Sequence, residues 1–300
     1  MLQGNFPPLP TPMNGLGDVD LEDLGRLMAH LAPYVDGYTL SAGGGEFPSL
    51  TQGERLEMLR ALSWLPREGK RIIFCVGSAC MRDACELARA AEARGADALL
   101  FVPPFYYRPT LAGLRACLEE LVAATALPIV YYDNPAHTRG PIPFDDLMRL
   151  FDGLPIVGVK MADPAKISRL ASHPQHPGFC GLDKPVPEMW RAGAAGALVN
   201  EPITLLPDVY HRAWSLFRGG EAEAGLRLLE TITMPFIEVA STGMDERYVA
   251  KWLLHRQGVL KNPATVRPPQ SGISPEREAA LIQAYDAALQ RAEAAGINLR

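Results

Sequence analysis

The chain has 300 residues, of which 48% are hydrophobic and 21% are charged, and its formal net charge is −5. This composition is typical of a globular protein with a large core and excludes a disordered chain. The charge is slightly acidic and Lys and Arg are scattered, so no nucleic-acid partner is expected. No apolar run approaches the ~20 residues of a membrane span, and the first residues lack a signal-peptide pattern. We therefore expect no membrane partner and a cytoplasmic location.

Short β-branched runs alternate with longer segments of helical period from the N-terminus onwards. Strands are predicted over residues 6–10, 37–40, 71–76, 98–102, 128–132, 155–160, 178–182 and 195–199. Helices are predicted to begin near Asp20, Thr51, Met81, Thr110, Pro143, Pro164, Pro185 and Leu205. Eight strands that alternate with eight helices predict an α/β fold, a closed (β/α)8 TIM barrel.

The pattern changes after Gly219 to helices alone. These are predicted over residues 221–239, 245–257 and 275–294, with a proline-containing linker over 262–270. The sequence thus predicts a barrel over residues 1–219 and a C-terminal helical extension, packed on the barrel, over residues 220–300.

The sequence offers no pattern that is typical of a metal or cofactor site. Five cysteines form an odd count without a CxxC pair, which predicts neither a disulfide framework nor a zinc ribbon, and we expect buried thiols. His173 and His176 lie in a polar stretch, and no other His, Cys or carboxylate has a convincing ligand spacing. We therefore predict that the protein uses no metal and no cofactor.

Lys160 ends the apolar run PIVGVK, and no other lysine directly follows a strand-like run. In barrels of this kind the reactive groups come from the carboxyl ends of the strands. Burial disfavours the ammonium form, so Lys160 is a candidate amine nucleophile towards a carbonyl. Alternatively it extends from the barrel rim into solvent or pairs with an acid such as Asp163.

Tyr132 ends the preceding strand-like run, PIVYY, and is expected beside Lys160 at the same edge. A phenol at this position could pass protons during carbonyl chemistry. The alternative is an aromatic side chain that fills the top of the barrel.

Three consecutive glycines, Gly43 to Gly45, follow the second strand. Their backbone N–H groups could hold a carboxylate. The alternative is that they only form a tight turn.

Taken together, the ordered motifs resemble the dihydrodipicolinate synthase and N-acetylneuraminate lyase superfamily along nearly the whole chain. The matching segments are TPM (11–13), AGGGE (42–46), PPFYYRPT (103–110), YDNPAHTRG (132–140), GVK (158–160) and GLDKPVPEMWRAGAAGALVN (181–200). The resemblance implies a lyase in which Lys160 forms an imine with pyruvate or another 2-keto acid, and the derived enamine reacts with an aldehyde. Tyr132 would relay the protons.

The resemblance also implies the remaining site residues and the assembly. Tyr106 would be donated across a dimer interface to the proton relay of a neighbouring subunit, and a homo-oligomer, a dimer of dimers (homotetramer), is expected. The N–H groups of Gly43 and Gly44 would hold the keto-acid carboxylate. His137 stands where the synthases keep an arginine that binds a second carboxylate, and Asn200 ends the last motif; both complete the predicted substrate-binding set.

The chain departs from the family pattern in two respects. Most members have Ser or Thr followed by Thr where this chain has Gly43 and Gly44, so the hydroxyl that links the two tyrosines of the relay is missing. Asp133, Ser41 or an ordered water could replace it. Histidine at position 137 is a weaker bidentate partner for a carboxylate than arginine, which disfavours the lysine-biosynthesis activity in particular.

Three functions therefore remain open at the level of the sequence. The first is an active Schiff-base lyase, an aldolase or a synthase, that joins or cleaves pyruvate and an aldehyde. The second is a dehydratase or deaminase of a 2-keto-3-deoxy acid that uses the same imine. The third is a non-catalytic paralogue that binds a keto acid and lacks the Ser/Thr relay.

Overall fold

The computed structural model describes residues 2–242 and 246–298. Eight short strands form one parallel sheet in the order β1-β8-β7-β6-β5-β4-β3-β2. Their bounds are Gly4–Asn5 (β1), Gly37–Leu40 (β2), Arg71–Cys75 (β3), Ala98–Phe101 (β4), Ile129–Asp133 (β5), Ile156–Met161 (β6), Gly178–Cys180 (β7) and Gly196–Ala197 (β8). This confirms the predicted (β/α)8 barrel with a C-terminal helical extension.

The barrel is closed between its first and second strands by backbone contacts that follow β1. Pro8 forms a parallel bridge with Thr39, and the N–H of Leu9 donates to the Thr39 carbonyl. The strand predicted over residues 6–10 is therefore placed a few residues too late, since β1 ends at Asn5. The physical reason is that Pro7, Pro8 and Pro10 have no N–H to donate to a ladder.

Alternate residues of the strands fill the barrel interior, as the pleat of a β-strand requires. The buried cluster there includes Ile73 and Cys75 of β3, Leu100 of β4, and Val130 and Tyr132 of β5. Because the interior is packed with side chains, a polar group that faces inward is held in a fixed environment of low polarity.

Seven helices follow strands β2 to β7 on the outside of the sheet, and several begin with the cap that their sequence predicts. Their bounds are Gln52–Ala61 (α2), Met81–Ala93 (α3), Leu111–Ala124 (α4), Pro135–Thr138 (α5), Phe144–Phe151 (α6), Pro164–Leu170 (α7) and Val186–Arg191 (α8). Thr51 and Glu54 form a capping box at α2, and Thr110 and Asp163 cap α4 and α7 with their side chains.

The remaining helices belong to a second compact unit. They are Leu21–Leu31 (α1), Glu201–Leu205 (α9), Pro207–Arg218 (α10), Ala222–Leu228 (α11), Met234–Ala240 (α12), Glu246–Arg256 (α13) and Pro275–Ala294 (α14). The helix predicted over 221–239 contains a π-helical turn, Leu229–Thr233, between α11 and α12. The predicted start of the next helix, Asp245, lies outside the described residues.

The chain divides into two compact units. The first comprises Met1–Leu9 and Asp36–Leu198, and the second comprises Pro10–Val35 and Val199–Arg300. The second unit thus contains α1 together with the C-terminal helices. The predicted domain boundary between residues 219 and 220 stays a prediction.

In the part of the chain that the structure describes, no helix is both long and apolar enough to cross a membrane. Cys75, Cys85 and Cys180 are buried as expected, whereas Cys80 is exposed.

Candidate active site

Lys160 and Tyr132 lie side by side on neighbouring strands at the carboxyl-terminal edge of the barrel. They are register partners of β6 and β5. Lys160 is only 6% exposed, and its Nζ lies 5.0 Å from the centroid of the Tyr132 ring. This contact places the amine against the negative face of an aromatic ring, within the range of a cation–π interaction. The structure therefore brings the two residues together as the sequence predicts.

Two glycines leave space for side chains at this edge of the barrel, Gly181 for Lys160 and Gly158 for Phe179. A Cβ at Gly181, after β7, would lie 2.9 Å from Cγ of Lys160. A Cβ at Gly158, two residues before Lys160, would lie 2.8 Å from the ring of Phe179. Because packed interiors do not yield easily, a side chain at either glycine would displace the Phe179 ring or the lysine chain.

The hydroxyl of Tyr132 is part of a group of three polar side chains. Nδ2 of Asn134 donates to the Tyr132 hydroxyl at 2.9 Å, and the same hydroxyl lies 3.0 Å from Nδ1 of His137. Nδ2 of Asn134 also lies 3.3 Å from Nδ1 of His137. The Tyr132 and His137 rings are nearly parallel, with centroids 6.2 Å apart. The structure thus brings His137 into contact with Tyr132, and a role of His137 in substrate binding stays a prediction.

Asn134 is a site residue that the sequence reasoning missed. It caps the short helix α5, and its Oδ1 accepts a hydrogen bond from the N–H of Ala136 at 3.1 Å. This bond fixes the amide so that the NH2 group faces Tyr132 and His137. The signal was present in the segment DNPA, because Asn followed by Pro at the first helical position is a typical helix start.

Asp133 and Ser41, the two side chains that could replace the missing relay hydroxyl, have other partners. Asp133 is on the opposite face of β5 from Tyr132, and its Oδ2 lies 2.6 Å from Nζ of Lys166. Burial raises the pKa of the Asp133 carboxyl, and Lys166 opposes that rise. Ser41 Oγ accepts a hydrogen bond from Nε of the buried Arg55 at 2.8 Å.

The interior thiols near Lys160 are held in their neutral form. Burial raises the pKa of Cys75, and it raises the pKa of Cys180 to about 12, although the charge of Lys160 opposes both shifts. A protonated thiol is a poor nucleophile. Neither thiol is therefore well suited to attack a carbonyl, and Lys160 stays the predicted nucleophile.

The other predicted residues of the barrel lie on loops at the same edge. Gly43 and Gly44 follow β2 and are half-buried, and a Cβ at Gly43 would meet no atom within 4 Å. Tyr106 lies on the loop after β4, is 73% exposed and packs edge-to-face against Tyr107. Carboxylate binding by the glycines and donation of Tyr106 to a neighbouring subunit stay predictions.

Asn200 belongs to the second compact unit, where it precedes α9. Its side chain is buried, and Nδ2 donates to Oε1 of Glu201 at 3.1 Å, while the Thr204 hydroxyl donates to its backbone carbonyl. These contacts fix the start of α9, and a role of Asn200 in substrate binding stays a prediction. Among residues 2–242 and 246–298, no three His, Cys, Asp or Glu side chains are arranged to hold a metal ion.

Comparison with known proteins gives a consistent result over nearly the whole chain. The model of the dihydrodipicolinate synthetase family matches residues 1–288. The 4-hydroxy-tetrahydrodipicolinate synthase 1 of Streptomyces coelicolor is 32% identical over 279 residues, which is 92% of this chain and 90% of that protein.

Solved structures show the same fold. The 4-hydroxy-tetrahydrodipicolinate synthase of Methylacidiphilum fumariolicum superimposes with a TM-score of 0.90 at 24% identity and covers 98% of each chain. A chloride-inhibited dihydrodipicolinate synthase of Acinetobacter baumannii, solved with pyruvate, has a TM-score of 0.87 at 24% identity and covers 96% of this chain and 99% of that chain.

These findings define the class of the protein as an enzyme, a lyase of the class I aldolase type on a (β/α)8 barrel. The chain belongs to the dihydrodipicolinate synthetase family. The sequence-based resemblance to this superfamily is therefore confirmed.

Proposed function

We propose that the protein forms an imine between Lys160 and the keto carbon of pyruvate or a related 2-keto acid, and that the derived enamine joins to, or is released from, an aldehyde. The observation that carries this proposal is the buried amine of Lys160 against the ring of Tyr132. The pyruvate bound to the related synthase of Acinetobacter baumannii supports the choice of keto acid. A cytoplasmic location stays part of this proposal.

In the first step the Lys160 amine gives its electron pair to the keto carbon, and an N–H proton moves to the carbonyl oxygen to form a carbinolamine. The carbon–oxygen bond then breaks, Tyr132 gives its proton to the leaving hydroxyl, and water departs as the imine forms. The Tyr132 phenolate next takes a proton from the methyl carbon, which leaves the enamine. Each proton that Tyr132 gives is thus returned to it within the sequence.

The remaining residues have supporting roles in this proposal. The backbone N–H groups of Gly43 and Gly44 bind the keto-acid carboxylate at the carboxyl-terminal edge. His137 binds the rest of the substrate, and Tyr106 extends to the relay of a neighbouring subunit in a homotetramer.

Borohydride trapping tests the imine directly. Incubation with pyruvate and borohydride should add one reduced pyruvyl group to the peptide that contains Lys160, as measured by mass spectrometry. Lys160→Ala should abolish the adduct, whereas Lys70→Ala, a lysine at a turn outside the site, should keep it. An adduct that survives Lys160→Ala would contradict the proposal.

A substrate screen identifies the bond that is broken after imine formation. Release of pyruvate from hydroxylated 2-keto acids indicates carbon–carbon cleavage and supports the aldolase or synthase reaction. Loss of water or ammonia from 2-keto-3-deoxy acids without release of pyruvate would instead show a dehydratase or deaminase that shares the imine.

A further inference from the structure

We infer that His137 is a positioning residue for Tyr132 that also exchanges the Tyr132 proton with solvent. The inference rests on the proposed function, because it assigns the proton path that serves an imine at Lys160. It gives His137 a role in the chemical steps, in addition to any contact with the substrate.

The hydrogen-bond directions follow from the amide of Asn134. Its Oδ1 is engaged by the N–H of Ala136, so Nδ2 is the group that faces Tyr132 and His137, and an amide NH2 can only donate. A nitrogen that lies near this donor and near a hydroxyl is best suited to accept. Nδ1 of His137 is therefore the acceptor, and in the neutral ring Nε2 carries the hydrogen.

The Tyr132 hydroxyl consequently has a defined direction of proton transfer. Its oxygen accepts from Asn134 at 2.9 Å, and its own hydrogen can point to Nδ1 of His137 at 3.0 Å. Both distances lie in the range of good hydrogen bonds. The donor Asn134 also stabilises negative charge on the Tyr132 oxygen, because a hydrogen bond to the ionised form favours that form.

His137 connects this buried hydroxyl with solvent. Tyr132 is buried, whereas His137 lies on α5 as an exposed residue. Each nitrogen of an imidazole can donate or accept a proton, which makes the ring a common proton-transfer group. The side chain therefore has one nitrogen at the Tyr132 hydroxyl and an exposed ring that can exchange its protons with water.

The transfer balances without another reactant. After Tyr132 has taken a proton from the methyl carbon of the imine, its O–H bond breaks and an Nδ1–H bond forms, which gives a phenolate and an imidazolium. The exposed imidazolium turns about its Cβ–Cγ bond, so that its Nδ1–H faces water and exchanges its hydrogen, and then turns back and gives that proton to the phenolate. In D2O this sequence brings deuterium to Tyr132 and from there to the methyl group of pyruvate.

Deuterium exchange in the absence of an aldehyde tests the inference without knowledge of the natural acceptor. Each variant is incubated with pyruvate in D2O, the decrease of the methyl signal is followed by proton NMR, and the imine is trapped with borohydride after equilibrium is reached. With His137→Ala, borohydride should trap as much imine as with the wild type. The methyl protons of pyruvate should exchange about 10²-fold more slowly, which is a typical loss for a proton-transfer group. Added imidazole should restore much of that rate.

His137→Asn separates proton transfer from a purely structural role. The Asn oxygen can accept a hydrogen bond in place of Nδ1 but does not carry a proton onward, so this variant should also exchange slowly. His173→Asn, a matched change at a histidine on the loop after α7, should exchange at the wild-type rate. Thermal unfolding checks that all three variants are folded.

The outcomes distinguish the inference from the proposed function. Absence of an adduct in the wild type would overturn the proposed imine, and the inference with it. An adduct in the wild type together with wild-type exchange in His137→Ala or His137→Asn would overturn the inference alone. A variant at position 137 that loses the equilibrium imine would also overturn it, since a proton relay changes a rate and leaves the equilibrium unchanged.

Discussion

At the scale of single residues, the absence of a side chain at Gly181 determines where the Lys160 amine lies. A Cβ at this position would lie 2.9 Å from Cγ of Lys160 and 3.0 Å from the carbonyl oxygen of Met161. The backbone oxygen cannot move away, because Gly181 donates its own N–H to it at 2.8 Å. The lysine chain must therefore shift if a methyl group is added.

Gly181→Ala should displace the Lys160 amine and slow imine formation with pyruvate. We expect a loss of about 1–3 kcal/mol in the free energy of unfolding, typical of an overpacked interior. The measurements are the rate of borohydride trapping and urea denaturation. Gly53→Ala in α2 is the matched control, because its Cβ would make only an ordinary contact of 3.9 Å with Oγ1 of Thr51. Equal trapping rates in the two variants would contradict this account of Gly181.

At the scale of the elements, α1 carries a histidine whose charge opposes folding. Burial lowers the pKa of His30 below its ordinary value of 6.5, although Asp208 partly opposes that effect. The neutral imidazole is thus favoured in the folded state. In the unfolded chain His30 takes up a proton at a higher pH, so lowering the pH favours unfolding.

The free energy of unfolding should therefore decrease as the pH falls through 6.5 towards 5, and His30→Gln should make this dependence shallower. His30 contributes its full stabilisation above its unfolded pKa, and that contribution is lost as the pH falls towards the lower pKa of the folded state. Urea denaturation at several pH values measures the slope. A wild-type slope no steeper than that of His30→Gln would contradict the assignment.

At the scale of the whole molecule, the exposed Tyr106 connects the proposed chemistry to the proposed assembly. Its ring is 73% exposed and lies on the loop after β4. If a neighbouring subunit receives this tyrosine, a subunit that lacks Lys160 can still supply Tyr106 to a partner that retains its lysine.

Mixing Lys160→Ala with Tyr106→Phe should restore activity that neither variant has alone. Random exchange in a two-fold dimer gives about one quarter of the sites a lysine from one chain and a tyrosine from the other. The recovered rate of turnover of a substrate found in the screen, relative to the wild type, measures this fraction after subunits have been exchanged in mild denaturant and refolded. No recovery, in a mixture shown by mass to contain mixed oligomers, would place Tyr106 in its own subunit or outside the site.

Much of the fold could be read from local patterns. The alternation of β-branched runs with amphipathic segments predicts the eight strands, and the bounds of β2 and α14 coincide with the prediction. Helix starts such as Thr51 were visible because capping is a local property of a few residues. β1 was misplaced because its short ladder is defined by pairing with β8 and by the prolines that follow it, which a single stretch of sequence does not show.

The sequence by itself determined which polar side chains lie near the carboxyl ends of the strands. Because Lys160 and Tyr132 end the apolar runs of two consecutive strands, they were expected at one edge of the barrel. Only the tertiary structure decided what surrounds them: the space left at Gly181, the turn that brings His137 to the Tyr132 hydroxyl, and the pairing of Asp133 with Lys166. The physical reason is that strand direction follows from neighbours in the chain, whereas hydrogen-bond partners and free volume depend on residues brought together by folding.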